Sequence, residues 1–314
     1  MARVKDSMMK FYFLIALMLI ARASGSAGDA DYDFVMCRRK CFRDKCHAIQ
    51  GKDPLLTVLI AEYNRNEFSF MKSIRADQSL LPWSCLDQCT YTCSQQLTFQ
   101  RMLYEFPPHK FFGHWPFIRW YGLEEPASAL FSALNAISHV IYLCGGYLPL
   151  SSTSHMRFYI NIYAIIALNA WIASVTYHSK KTDFSSLYDY VSALLLLLYG
   201  CTLITVRILS LPVPLVSSRL LSTLSILITC LLWILQAYRL ANGQVGYSAH
   251  MTVCITLLVV SFLLYVVYTM QLLNRVRQHA HVKRLAYAVI CWCMLTQAWL
   301  GGAGLLEVFD FPPL

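Results

Sequence analysis

Charge is scarce in this chain. Lys, Arg, Asp and Glu together make only 14% of its 314 residues, against about 25% in an ordinary soluble domain. That shortage excludes a single water-soluble globule and points to a polytopic membrane protein. A dense basic run with interleaved aromatics is also missing, although the net charge is +9, so nucleic acid is excluded as a partner. No Asn-x-Ser/Thr sequon occurs, so N-glycosylation cannot report which parts face a secretory lumen.

What is present is unevenly placed. Arg3, Lys5 and Lys10 flank an apolar stretch over 11–20, and Ala21-Arg22-Ala23 follows with a small-residue cleavage pattern. Ten apolar residues are too few to cross a bilayer core that needs about 20. Residues 1–23 therefore read as a cleaved signal peptide. Residues 24–125 are richer in acidic groups and hold six of the 12 cysteines, which predicts a luminal cysteine-rich domain. Residues 126–314 predict a transmembrane helical bundle. Uncharged spans lie at 127–149, 158–177, 190–206, 220–238, 251–273 and 285–306. The third is short unless it begins at Leu187 and takes in Asp189.

Loop charges give an orientation. If the cysteine-rich domain is luminal, the cytosolic loops carry Arg157, Arg207, Arg219, Arg275, Arg277, Lys283 and Arg284, while the luminal loops carry only Lys180, Lys181 and Arg239. This bias agrees with the positive-inside rule.

The six N-terminal cysteines form two triplets: Cys37, Cys41 and Cys46, then Cys85, Cys89 and Cys93. The second triplet has i, i+4, i+8 spacing, which lines the thiols along one helical face. Behind a signal peptide an even set predicts three disulfides. A zinc site is the rival, and these spacings are not the usual ones for it. Pairing across the triplets is plausible, and the sequence alone leaves the connectivity open. The six later cysteines read as small buried hydrophobes. The aromatic stretch 111–126 reads either as an interfacial segment on the luminal leaflet or as a linker packed within the N-terminal domain.

Three polar residues stand out in apolar surroundings, where such groups are costly and usually functional. Ser174 and His178 are one turn apart, and Asp189 opens the next span. A neutral His can ligate zinc. Ser174 could then donate to a developing oxyanion and Asp189 accept a proton from water. A Ser-His-Asp triad is also possible, but adjacent turns of one helix provide no nucleophile elbow. The plain alternative is interhelical hydrogen bonding. Zinc usually needs three protein ligands, and the other histidines near the membrane are poor candidates. His139 is in mid-span, His155, His279 and His281 are cytosolic, and His250 reads as a loop or helix-start residue. Glu124 and Glu125 could order the site or hold a second cation, though such a pair is more often solvated.

The stretches "GDADYDFVMCRRKC", "WSCLDQCTYTC", "HWPFIRWYGLEEPAS", "LNAWIASVTYHSKKTD", "YDYVSA" and "DFPPL" occur in this order. From about residue 28 onward the chain resembles the family of post-GPI attachment to proteins factor 3. The resemblance implies an all-α, seven-helix membrane bundle, of which six helices fall within this sequence. It also implies a disulfide-rich luminal domain, residence in the Golgi membrane or the endoplasmic reticulum, and membrane lipid and GPI-anchored proteins as partners. The implied reaction is phospholipase A2-like: zinc-dependent hydrolysis of the sn-2 acyl ester of the phosphatidylinositol moiety, giving lyso-GPI. Ser174 and Asp189 match the family's catalytic positions and His178 its first zinc ligand. The implied second and third ligands, a His-x-x-x-His on helix seven, are not among the 314 residues, which puts catalysis by this chain alone in doubt. A ceramidase-type amide hydrolase and a non-catalytic receptor or cargo-binding protein are the competing expectations.

Overall fold

A computed structural model describes residues 27–46, 81–145, 155–209, 215–278 and 283–308. The expected signal peptide lies outside them. Among the described residues the chain is helical, and its only β pairing is two isolated bridges, Phe111–His114 and Trp120–Leu123. Two compact units are formed. One takes in the cysteine-rich region through Leu130 together with His178–Lys181. The other takes in Phe131–Tyr177 and the chain from Thr182 onward.

In the cysteine-rich unit, helix α1 (Tyr32–Cys41) starts at Asp31, whose carboxylate accepts from the Asp33 and Phe34 amides. Helix α2 (Cys85–Leu103) starts with a reciprocal capping box between Ser84 and Asp87, which satisfies two otherwise unpaired donors. The triplets pair antiparallel: Cys37–Cys93, Cys41–Cys89 and Cys46–Cys85. Cross-triplet pairing is thus the arrangement adopted. The spacings do not match, since α2 offers steps of four and four while α1 offers four and then five. The extra residue is absorbed by a π turn over Phe42–Cys46, whose wider winding returns Cys46 to the bonding face. Phe34 is fully buried against Cys93, Leu97 and Phe111. Gly28 donates its amide to the Lys110 carbonyl, and a Cβ there would stand 2.4 Å from that oxygen, so only glycine fits.

Part of the stretch 111–126 packs within the N-terminal unit and part of it is exposed. Pro116 and Arg119 are buried, and the Gln95 amide donates to the Pro116 and Phe117 carbonyls. Phe117, Ile118, Trp120 and Tyr121 are exposed. Two tight turns have Phe112-Gly113 and Tyr121-Gly122 at their centres, all four at positive φ. That is the type I′ pattern, carried here by aromatic residues that ordinarily avoid such angles.

The second unit holds most of helix α3 (Pro126–Leu143) and of α4 (His155–Ser179), then α5 (Asp183–Leu209), α6 (Leu215–Ala241), α7 (Tyr247–Gln278) and α8 (Lys283–Val308). Helices α3 to α7 each contain a stretch long and apolar enough to cross a membrane, and α8 contains a shorter apolar stretch, Ala286–Gly302. The third predicted span is longer than its uncharged core because α5 begins at Asp183. It is also the central helix: 56% of its apolar window is buried, against 28% or less for the other four. Leu194, Leu198 and Cys201 of α5 pack with Leu232 of α6 and with Val253 and Leu257 of α7. Polar pairs join the helices within this apolar frame. Thr202 meets Thr229, the Asn169 amide donates to Ser192, and the Trp233 indole donates to the Val191 carbonyl.

Candidate functional site

His178 lies at the last turn of α4, where unpaired carbonyls need donors. The backbone amides of Glu124 and Glu125 supply them, donating to the Ser179 and His178 carbonyls at 3.2 and 3.0 Å. The start of α3 thereby caps the end of α4. The side chains repeat the link. His178 Nδ1 donates to Glu125 Oε2 at 2.5 Å, and Lys181 Nζ pairs with Glu125 Oε1. Glu124 Oε1 accepts from Arg119, and its Oε2 accepts from the Lys181 amide at 2.8 Å.

Every oxygen of the two carboxylates therefore has a partner. Expected as solvated residues, they are instead 22% and 14% exposed and bind protein groups, which leaves them little capacity for a second cation. Burial pushes the Glu125 carboxyl up, but the His178 hydrogen bond and the Lys181 charge outweigh it and hold it at about 2.

Arg119 anchors this cluster. Its guanidinium lies 3.4 Å from the Trp83 ring centre and 4.2 Å from that of Tyr91, and it also donates to Gln88 and Glu124. Burial pulls its basicity down, and Glu124 opposes that effect. Trp83 also faces the Lys180 ammonium at 4.7 Å, and Lys180 donates to the Pro82 carbonyl.

In the helical unit, Ser174 of α4 shares a 2.9 Å hydrogen bond with Ser132 of α3. Asp189 is half-buried on α5. Its neighbour Tyr190 meets the Tyr177 hydroxyl at 3.4 Å and stacks on His250 with ring centres 5.2 Å apart. His250 does lie in the first turn of α7, yet it is only 2% exposed. Its placement in the core was not legible from its position beside a loop. Neither was the pairing of His178 with Glu125, 53 residues away.

Engagement of Nδ1 by a carboxylate is an arrangement typical of a metal-binding imidazole. One nitrogen is not a zinc site. Among the described residues the only close set of three potential ligands is Cys46, Cys85 and Cys89, and those sulfurs are consumed in disulfides. The residues described here do not assemble a complete zinc ligand set.

Comparison with known proteins places these features in a lineage. The Per1-like family matches residues 76–314. The chain is 30% identical over 308 residues to mouse "GPI-specific phospholipase A2-like PGAP3", covering 96% of this chain and 84% of the relative. The human protein of that name is 30% identical over 298 residues, covering 94% and 82%. The Drosophila melanogaster "Post-GPI attachment to proteins factor 3" is 31% identical over 191 residues, covering 61% and 55%. No solved structure matches. With the family match spanning most of the sequence, this chain belongs to the Per1-like family.

Proposed function

We propose that this protein remodels GPI anchors by hydrolysing the sn-2 acyl ester of their phosphatidylinositol moiety, leaving lyso-GPI. The observation that carries the reading is the alignment, across 96% of the chain, with a relative named as a GPI-specific phospholipase A2-like protein. The multi-pass helical architecture supports a lipid substrate, which must be met within a bilayer. In this proposal the cysteine-rich domain and the Ser174, His178 and Asp189 end of the bundle face the lumen of the Golgi or endoplasmic reticulum, where GPI-anchored proteins are processed.

Residue roles follow from chemistry. Asp189 accepts a proton from the attacking water, and Ser174 donates its hydroxyl to the oxyanion that forms on the acyl carbonyl. Glu125 fixes the His178 ring through Nδ1. Zinc dependence is proposed on the resemblance, in which His178 is the first ligand, and on the carboxylate that holds its ring. The other two histidines that the resemblance implies are not among the described residues, so no step is routed through a metal.

The test is lipid analysis by mass spectrometry of GPI-anchored proteins in cells lacking endogenous remodelling. Restoration of lyso-GPI on expression supports the proposal. Ceramide turnover without lyso-GPI would favour an amide hydrolase, and neither product would favour a binding protein.

A further inference from the structure

A groove of about 310 Å³ opens on the cysteine-rich unit. Val35, Arg38, Arg39 and Phe42, from α1 and the π turn that follows it, line one side, and Leu86, in the first turn of α2, lines the other. Small-molecule sites run from roughly 300 to 1,000 Å³, so this is room for one small ligand or for one end of a larger one.

The covalent ladder builds the groove. Phe42 lies between Cys41 and Cys46, and Leu86 between Cys85 and Cys89. The bridges Cys41–Cys89 and Cys46–Cys85 hold these walls at a fixed separation. A site formed before its ligand arrives loses little to ordering. Val35, Arg39 and Phe42 follow helical spacing along one face, while Phe34, Cys37 and Cys41 turn the other face into the core. Phe42 and Leu86 are left exposed to solvent.

The charge in the groove is of one sign. Among the described residues neither Arg38 nor Arg39 has a carboxylate partner. Arg38 lies over the Phe34 and Phe112 rings, at 5.9 and 5.3 Å from their centres, which orients the guanidinium without neutralising it. The neighbouring acidic residues Asp33, Asp44 and Asp87 are not among the walls. Asp44 pairs with Arg43, and Asp87 with Lys180.

Two planar guanidinium forks suit phosphate oxygens. A bare phosphate would leave Val35, Phe42 and Leu86 wet, and a neutral lipid would leave both cations unanswered. An anion joined to alkyl chains answers both.

We infer that this groove binds the phosphodiester of an anionic phospholipid, with Arg38 and Arg39 on the phosphate oxygens and Val35, Phe42 and Leu86 against the adjoining hydrocarbon. The inference goes beyond the acyl-ester reading: it gives the cysteine-rich unit a lipid contact of its own, whether or not the bundle hydrolyses lipid.

The test is calorimetric binding of dihexanoyl phosphatidylinositol to the full chain in a neutral detergent. Three comparators separate the sources of affinity: dihexanoyl phosphatidylcholine, whose choline cancels the charge; glycerophosphoinositol, which keeps the phosphodiester and lacks the chains; and a tetraglutamate peptide. The wild type is expected to prefer dihexanoyl phosphatidylinositol about tenfold or more over each, and added salt should weaken that preference over phosphatidylcholine. Arg39→Gln should weaken phosphatidylinositol binding about tenfold, the value of one charge-assisted hydrogen bond. Its melting temperature should match wild type, because Arg39 is exposed. Leu86→Ser should weaken the lipid and leave glycerophosphoinositol unchanged. Phosphatidylinositol binding that Arg39→Gln leaves intact lies elsewhere, in the bundle or the micelle, and overturns the inference. So does equal binding of phosphatidylinositol and phosphatidylcholine, of the lipid and its deacylated form, or of the lipid and the peptide.

Discussion

Glu125 and His178 are 53 residues apart in sequence and joined by a 2.5 Å hydrogen bond between Oε2 and Nδ1. The other Glu125 oxygen pairs with Lys181, so one carboxylate holds two cationic or donor groups at the α3–α4 junction. Glu125→Gln should destabilise the protein by about 2–4 kcal/mol, because a partly buried ammonium loses its counter-charge. Thermal unfolding in detergent reads this directly. Lys181→Met in the Glu125→Gln background should recover part of the loss. An unchanged melting temperature in Glu125→Gln would show that the pair contributes nothing.

Arg119 should resist conservative replacement. Lys cannot stack between Trp83 and Tyr91 while also bonding Gln88 and Glu124. Arg119→Lys is expected to cost about 1–3 kcal/mol, given ring contacts and hydrogen bonds that are largely shielded from water. A melting curve equal to wild type would reduce the aromatic sandwich to incidental contact.

The covalent ladder makes a mapping prediction. Non-reducing peptide analysis should recover Cys37–Cys93, Cys41–Cys89 and Cys46–Cys85. Cys46–Cys85 is nested inside Cys41–Cys89, which already holds the two segments together, so the paired Cys46→Ser, Cys85→Ser variant should lose only about 2–3 kcal/mol on the chain-entropy account. The other two bridges should remain intact. Scrambled pairs in the wild type would refute the antiparallel order.

For catalysis, His178→Ala should abolish lyso-GPI formation while the protein still reaches its membrane. Ser174→Ala should lower the rate about 10²–10³-fold, as expected for an oxyanion donor rather than a covalent nucleophile. Asp189→Asn should slow the reaction because an amide cannot accept the proton. Full activity of His178→Ala would leave these three residues as interhelical hydrogen-bonding groups.

Orientation can be tested at the start of α5. A cysteine at Ser186 should react with an impermeant thiol reagent only after the organelle membrane is opened. Labelling from the cytosolic face would reverse the proposed topology.

The helices were legible because apolar runs of membrane-spanning length are a strong local signal, and the cysteine triplets because i, i+4 spacing marks a helix face. Details set by tertiary contact were not. The α5 start at Asp183 depends on a local cap in which the Thr182 amide donates to the Ser185 hydroxyl, outside the uncharged window. Glu125 looked like a surface carboxylate because nothing in its neighbourhood announces His178 or Lys181. His250 reads as a loop or helix-start residue for a related reason: a polar residue near a helix end looks solvated until neighbouring helices are seen to cover it.

The π turn at Phe42–Cys46 has one more consequence. The first strand of this covalent ladder spends five residues where the second spends four, and helical winding yields to make up the difference. The third crosslink dictates backbone pitch, not the reverse. A chain shortened by one residue between Cys41 and Cys46 would place its third thiol on the same face by ordinary α winding. Segment length here is thus free to shorten by one without loss of the bond.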